Sequence, residues 1–359
     1  MSKTFLAVNF GCRVNSAEIN QWSQIFINKG YLPTKTNPDV ILINTCSITK
    51  KGEIESLGKI RQLNKLYPKA KIYTTGCANL EKIKDLPNVF IYQNNQKEDL
   101  LKELQSSYTH KIKDKFSQTD RFLLKIQSGC TQFCSYCIVP FKRPKLWSLK
   151  IKDAINTVNS AVQNGYQEII ITGVNIDEYQ YDFSDLIKNI LDQTTIKLIS
   201  FGSIPINCID QKFIDLFKSY PHRLSNFLHI PIQSGSDKIL KLMHRPYTVK
   251  EIKIKFNQLK KLMPRLVKEG DRGRFNFGTD IIVGFPTETD QDFQETLNLC
   301  QQIGFSKIHT FKYSPRPNTL AKIIHQKNPK ISKEILKSRS QQIRSISQNK
   351  LPSHQKLET

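Results

Sequence analysis

Cys130, Cys134 and Cys137 fall within the eight residues 130–137, in the stretch QSGCTQFCSYCIVPF, in a chain that holds eight cysteines altogether. Thiolates this close together suit zinc or an iron–sulfur cluster. A closed structural zinc site takes four ligands, and this stretch offers three. No fourth cysteine is near, and the next histidine downstream is His222. A cubane cluster held by three thiolates keeps one iron with an open coordination position, which makes it a reactive site rather than a pure electron carrier.

Three more cysteines share a different kind of pattern. Cys12 follows the apolar run TFLAVNF, Cys46 ends ILINTC and Cys77 ends YTTGC. Each comes just after the C-terminal end of a strand-like segment. If those strands are parallel, their C-terminal ends lie on one edge of the sheet, where ligands bind in such folds. The three thiols can then converge although they are far apart in sequence. The plainer alternative is three buried cysteines acting as small hydrophobes. Cys208 and Cys300 have no such placement; Cys300 falls on an amphipathic helical pattern, and both read as core.

The elements that must position these residues alternate between strand and helix. TFLAVNF, DVILINT, AKIYTTG and NVFIY read as strands, with the near-continuous apolar run of the second typical of a buried parallel strand. SAEINQWSQIFINKG carries Ile19, Trp22, Ile25 and Phe26 at helical spacing and ends on Gly30. KGEIESLGKIRQLNKLY is helical again. This βαβαβ order gives an α/β fold, a doubly wound parallel sheet over residues 1–106. Residues 97–120 read as one helix and then a polar linker at 107–120. From Phe122 the alternation restarts with FLLKIQ, EIIITG, KLISFG, NFLHIPI, GTDIIVG and KIHTFKY as strands. Helical patterns such as IKDAINTVNSAVQNG and DQDFQETLNLCQQIG lie between them. Six βα units over 121–330 fit a partial (βα)6 barrel, whose functional groups sit at the strand C-terminal ends. Residues 331–359 read as a basic helical tail.

Composition narrows the partners. The chain has 359 residues, enough for two cores, and 38% apolar residues, which argues against disorder. Its 54 Lys and Arg against 31 Asp and Glu give a net charge of +23, which favours a polyanion. The excess concentrates in residues 241–274 and 322–359, which carry nets of +8 and +7. A lysine-rich surface from a biased genome is the plain reading; salt-dependent RNA binding is the one favoured here. The N-terminus lacks the long apolar core of a signal peptide, and no apolar run approaches the roughly 20 residues of a membrane span. A cytoplasmic protein is expected, and there clustered cysteines hold metals rather than disulfides.

CxxxCxxC with Tyr136 before the last cysteine, on the first strand-to-helix turn of a partial barrel, resembles the radical S-adenosylmethionine (SAM) signature. The preceding three strand-end cysteines resemble the methylthiotransferase branch of that superfamily. NFGCRVNSAE, INTCSIT, TTGCA, SGCTQFCSYCIVPF, ITGVNI, LHIPIQSGSDKIL and TDIIVGFPTET resemble family blocks in the right order, from the N-terminus to about residue 345. GCRVN with NTCSIT is similar to the branch acting on N6-threonylcarbamoyladenosine next to the tRNA anticodon. The isopentenyl-adenosine branch, and a third branch that modifies a ribosomal-protein aspartate, are the alternatives within the family. A non-catalytic, zinc-stabilised nucleic-acid-binding protein is the alternative of another class.

The resemblance implies two [4Fe–4S] clusters and SAM as cofactors. Cys130, Cys134 and Cys137 would bind the cluster whose open iron takes the amino and carboxylate groups of SAM, giving a 5′-deoxyadenosyl radical that abstracts hydrogen from C2 of the adenine. Cys12, Cys46 and Cys77 would bind an auxiliary cluster carrying the sulfur or methylthio group. Tyr136, Gly173, Asn175, Ser203, Gln233, Asp280 and Val283 would hold SAM. Arg143, Lys260, Lys261, Arg272 and Arg274 would contact RNA. Further partners would be tRNA, an electron donor such as flavodoxin or ferredoxin, and a sulfur donor, with no membrane. The chain departs from the family pattern at Pro144 and Leu149, in KRPKLWSLK, and at Pro205 and Asn318. Relatives commonly end in a small RNA-binding β-barrel; after KIHTFKYSPRPNT this sequence shows only the basic helical pattern and a short tail, so either the barrel is missing from a natural short form or the chain is truncated, and the basic regions would then carry more of the RNA binding.

Overall fold

The computed structural model describes residues 3–97, 99–100, 120–266 and 276–348. Its N-terminal sheet is made of β1 (Thr4–Asn9), β2 (Leu32–Pro33), β3 (Val40–Thr45), β4 (Lys71–Gly76) and β5 (Val89–Ile91), in the order β2-β1-β3-β4-β5. Every pairing is parallel. All six residues of β3 are buried, and their alternation explains why. Ile41 and Ile43 face Leu57, Ile60 and Leu63 of α2 (Lys50–Leu66), whereas Val40 and Leu42 face Ile19, Trp22, Ile25 and Phe26 of α1 (Arg13–Asn28). The sheet is therefore covered on both sides, as a doubly wound fold requires. The helix pattern read from Ser16 begins earlier, at Arg13, so Cys12 occupies the N-cap, with extended φ −83° and ψ 171°. α2 is capped by Thr49, whose hydroxyl accepts from the Gly52 amide at 3.1 Å.

The six strands expected after Phe122 are all present. β6 (Arg121–Ser128), β7 (Trp147–Ser148), β8 (Glu168–Gly173) and β9 (Leu198–Phe201) form one sheet in the order β7-β6-β8-β9. β8 runs parallel to β6. β7 was not expected: two residues in LWS pair antiparallel with Gln127 and Ser128, too few to leave a periodic signal. β10 (Phe227–His229), β11 (Asn276–Val283) and β12 (Lys307–Lys312) form a parallel three-stranded sheet. Two isolated bridges, Ser203 to His229 and Gln233 to Ile281, are also parallel and lie outside the named strands.

The chain divides into two compact units, Met1–Thr131 with Ile138–Ile199, and Gln132–Cys137 with Ser200–Thr359. The linker expected at 107–120 lies outside the described residues except for Asp120, as does most of the helix expected before it. No helix among the described residues is long and apolar enough to cross a membrane.

The basic C-terminal pattern forms the helix Lys333–Gln348, but it is not a free tail. Arg339, Ser340, Ile343 and Ser347 are buried, a helical stripe packed on β11, β12 and the helix Asp290–Ile303. Arg339 donates to Glu288 Oε2 at 2.5 Å and to Asp290 Oδ1 at 2.7 Å. Removing one partner of a buried pair leaves an uncompensated charge and costs about 3–5 kcal/mol. Arg339→Met is expected to lower the unfolding free energy by about that amount in urea titrations; an unchanged midpoint would show that the helix is not anchored there.

Candidate metal centre

Cys12, Cys46 and Cys77 follow β1, β3 and β4, which are adjacent in the sheet. Asn9 pairs with Asn44, and Thr45 with Gly76, so Cys46 and Cys77 leave neighbouring strands, about 4.8 Å apart, at the same level. Cys12 reaches that edge through Gly11, at φ +97°, where an added Cβ would lie 2.8 Å from Cys46 Sγ. Only glycine permits this approach. Gly76, at φ +113°, is equally constrained: a Cβ there would meet the Thr45 carbonyl oxygen at 2.4 Å. The Asn94 amide sits 3.6 Å from Cys77 Sγ and donates to the Gly76 carbonyl at 2.8 Å. All three cysteines are free thiols, Cys46 and Cys77 buried and Cys12 exposed.

Three cysteines at one sheet edge offer three thiolate ligands, a donor set that suits an iron–sulfur cluster, whereas a closed structural zinc site takes four ligands. Elsewhere among the described residues, ligand atoms of His229, Asp280 and His309 lie within 4.8 Å of one another.

Beside this edge lies a buried charge cluster that sequence reading did not find. The Glu18 carboxylate of α1 receives Arg143 Nη1 at 2.8 Å and Nη2 at 3.0 Å, Lys97 Nζ at 2.6 Å, Lys125 Nζ at 3.3 Å and the Asn44 amide at 3.0 Å. Burial alone would raise the Glu18 carboxyl, but Arg143, Lys97 and Lys125 hold it well below its usual range. Burial, reinforced by the neighbouring Arg143 charge, lowers the Lys97 ammonium to about 7. Arg143, expected to contact RNA, is 5% exposed and committed to Glu18 and Asn15, so its guanidinium is not offered to a polyanion. Nothing local in the sequence marks its partner, 125 residues away.

Around Cys130, the buried Gln127 organises the turn. Its amide donates to the Gly129 carbonyl at 2.8 Å and its oxygen accepts from the Asn175 backbone at 2.8 Å. Gly129, at φ +89°, is packed against the Lys145 carbonyl. Asn175 Nδ2 lies 3.7 Å from Cys130 Sγ and donates to Glu178 at 3.2 Å. Gly173 abuts Gln127 and Ile176.

In the second unit, the Cys137 amide donates to the Cys134 carbonyl at 2.9 Å. Ser135 is pinned by its hydroxyl to Leu242 and by its amide to Met243. Arg245, not singled out from sequence, donates to Cys134 Sγ at 3.2 Å and stacks on Tyr247. The contact aims a guanidinium N–H at a sulfur that the sequence marks as a metal ligand. Tyr136 packs against the cluster of Ile239, Met243, Ile282, Phe285 and Ala321.

The remaining expected residues are more scattered. Ser203 is exposed and bridges to His229, whereas Val283 is fully buried and accepts from the Tyr313 amide. Gln233, at φ +68°, bonds through its backbone to Asp280 and Ile282. Asp280 accepts from His229 Nε2 at 3.0 Å and His309 Nδ1 at 3.2 Å. Lys260 donates to the Gln302 carbonyl and Lys261 is exposed; Arg272 and Arg274 lie outside the described residues. Of the departures, Asn318 takes the left-handed conformation, φ +62°, that asparagine tolerates, and Leu149 is a buried core residue.

Residues 124–300 match the Radical SAM superfamily and residues 4–94 match a family described as "Uncharacterized protein family UPF0004". The chain is 31% identical to the threonylcarbamoyladenosine tRNA methylthiotransferase MtaB of Aquifex aeolicus, over 95% of this chain and 87% of that protein. It is 32% identical to the tRNA-2-methylthio-N(6)-dimethylallyladenosine synthase of a Sulfurihydrogenibium species, over 88% of this chain and 78% of that one. The chain belongs to the radical SAM methylthiotransferase family. It is an enzyme that transfers a methylthio group, and membership brings SAM and a [4Fe–4S] cluster as cofactors. The radical SAM methyltransferase TsrM of Kitasatospora setae, solved with cobalamin and a [4Fe–4S] cluster, shares the fold, with a TM-score of 0.61 over 90% of this chain and 77% of that one at 12% identity.

The Asp280 group gives a pH test. Burial alone would raise its carboxyl, but hydrogen bonds from the two histidines hold it at about 2, below the ordinary 3.8. A carboxyl depressed in the folded state contributes stability that is complete above its unfolded pKa and lost as pH falls through the folded value. Asp280→Asn is therefore expected to be about 2 kcal/mol less stable than the parent at pH 6, with the difference closing between about pH 4 and pH 2. A difference that stays constant with pH would show that the carboxylate charge does not contribute.

Proposed function

We propose that this enzyme inserts a methylthio group at C2 of N6-threonylcarbamoyladenosine in tRNA, next to the anticodon. The observation that carries the reading is the convergence of Cys12, Cys46 and Cys77 on one sheet edge in a chain that also bears the CxxxCxxC motif. Two three-thiol sites suit two [4Fe–4S] clusters, one for SAM and an auxiliary one for the sulfur to be inserted. The choice of modified base is supported by the GCRVN and NTCSIT forms of the N-terminal blocks and by the name of the Aquifex relative.

In this reading Cys130, Cys134 and Cys137 hold the cluster that engages SAM, and Cys12, Cys46 and Cys77 hold the auxiliary one. When bound between the thiolates of Cys130, Cys134 and Cys137, the cluster with SAM would supply the one-electron chemistry needed to activate a C–H bond of the base. The protein's own groups bind and orient. Asn175 and Arg245 direct N–H groups at Cys130 and Cys134 respectively, stabilising thiolate ligands. Tyr136 would offer its ring to the cofactor and Gly173, Asn175, Ser203 and Gln233 polar groups, whereas Val283, fully buried, would only back the site from within the core. Asp280 keeps the imidazoles of His229 and His309 oriented. Lys260 and Lys261, with Arg272 and Arg274, supply cations for the tRNA backbone. An electron donor such as flavodoxin or ferredoxin and a sulfur donor complete the reaction.

The discriminating experiment supplies the reconstituted enzyme, SAM and a reductant with tRNA bearing either threonylcarbamoyl- or isopentenyl-adenosine, and with the ribosomal-protein substrate of the third branch. Nucleoside mass spectrometry is expected to show a methylthio product from the threonylcarbamoyl substrate, at least tenfold faster than from isopentenyl-adenosine. Product from the isopentenyl substrate or the protein alone would overturn the assignment.

A further inference from the structure

We propose that Arg143 is a positioning residue that links the two cysteine sites and holds a fixed positive charge against the N-terminal one. This rests on the two-cluster reading above.

The link runs through hydrogen bonds on both sides. The Arg143 carbonyl accepts from the Cys130 amide at 3.1 Å, so its main chain fixes the turn that carries the first cysteine of the motif. Its side chain reaches the other site. Nη2 donates to Asn15 Oδ1 at 2.7 Å. The Asn15 amide in turn donates to the carbonyls of Phe10 at 2.8 Å and Thr45 at 2.9 Å. Those carbonyls stand two residues before Cys12 and one before Cys46. Nη1 also donates to Ser128 Oγ at 3.1 Å, at the end of β6. One residue thus joins the backbone of a ligand in each set, and a planar fork is needed to grip Glu18 and Asn15 together.

The charge follows from the same contacts. One buried carboxylate is met by Arg143, Lys97 and Lys125, an excess of cation in a region where charge is poorly screened. Nη2 grips Asn15, the third residue after Cys12, so the guanidinium is held at the start of α1, next to the sheet edge that carries the N-terminal cysteines. A cluster ligated by three thiolates gains negative charge on reduction, so a cation held beside it favours the reduced form and raises its midpoint potential. Removing Arg143 should lower that potential; removing the Glu18 charge should raise it.

The test uses the full chain carrying Cys130→Ala, Cys134→Ala and Cys137→Ala, reconstituted anaerobically, so that only the N-terminal site can hold a cluster. Its midpoint potential is followed by EPR in a redox titration, and its iron by release to a chelator. Arg143→Met is expected to shift the potential negative and Glu18→Gln to shift it positive. Arg143→Lys should keep a potential near the parent's but lose iron several-fold faster, because one ammonium cannot span both partners. Parental potentials in both Arg143→Met and Glu18→Gln, or shifts of the same sign as general loosening would give, would overturn the inference. If Arg143→Met does not fold, an unshifted Glu18→Gln or a parental iron-release rate in Arg143→Lys overturns it equally. If the parent triple variant holds neither iron nor sulfide, the two-cluster reading falls and takes the inference with it, an outcome distinct from an intact cluster whose potential ignores both charges.

Discussion

Parallel pairing of β1, β3 and β4 is the constraint on which the N-terminal site depends. Three cysteines separated by dozens of residues meet only because three strand ends share an edge and a register. A slip of one residue would turn each side chain to the opposite face. The register is held by apolar layers on both faces, with Ile41 and Ile43 locked to α2 and Val40 and Leu42 locked to α1. The edge itself is set by backbone: Gly11 and Gly76 adopt conformations that let the loops close to van der Waals contact with Cys46 and Thr45. The chemistry available there is thus a consequence of how the sheet is packed rather than of any local sequence run.

Charge is arranged with the same economy. A chain with a net of +23 gathers the buried Arg143 and the partly buried Lys97 and Lys125 around one buried carboxylate, where desolvation makes each contact consequential. Arg245 at Cys134 and Arg339 at Glu288 are further cations removed from the surface. A count of basic residues therefore overstates what is offered to RNA, and Arg143 is the clearest instance.

Much of the architecture was legible because it rests on periodicity. The strands around Val40–Thr45 and Glu168–Gly173 and the helices at Trp22 and Leu57 follow from apolar spacing alone. So did the strand-end placement of the three N-terminal cysteines. What stayed hidden is non-local or too short. β7 has two residues, below any period. The Glu18–Arg143 pair joins positions that no window spans, and the hydrogen bonds of His229 and His309 to Asp280 depend on β10, β11 and β12 lying side by side. The basic helix at Lys333–Gln348 read as a tail because its buried stripe holds Arg339, Ser340 and Ser347 with only one apolar residue, Ile343, among them.

The central claim is that the chain holds two separate three-thiolate clusters. Iron and acid-labile sulfide measured after anaerobic reconstitution test it most directly, in the parent, in the Cys12→Ala/Cys46→Ala/Cys77→Ala variant and in the Cys130→Ala/Cys134→Ala/Cys137→Ala variant. Two cubane clusters predict about eight irons per parent chain and about four in each variant. About one zinc per chain with no sulfide would contradict the account and leave a metal-stabilised binding protein in its place.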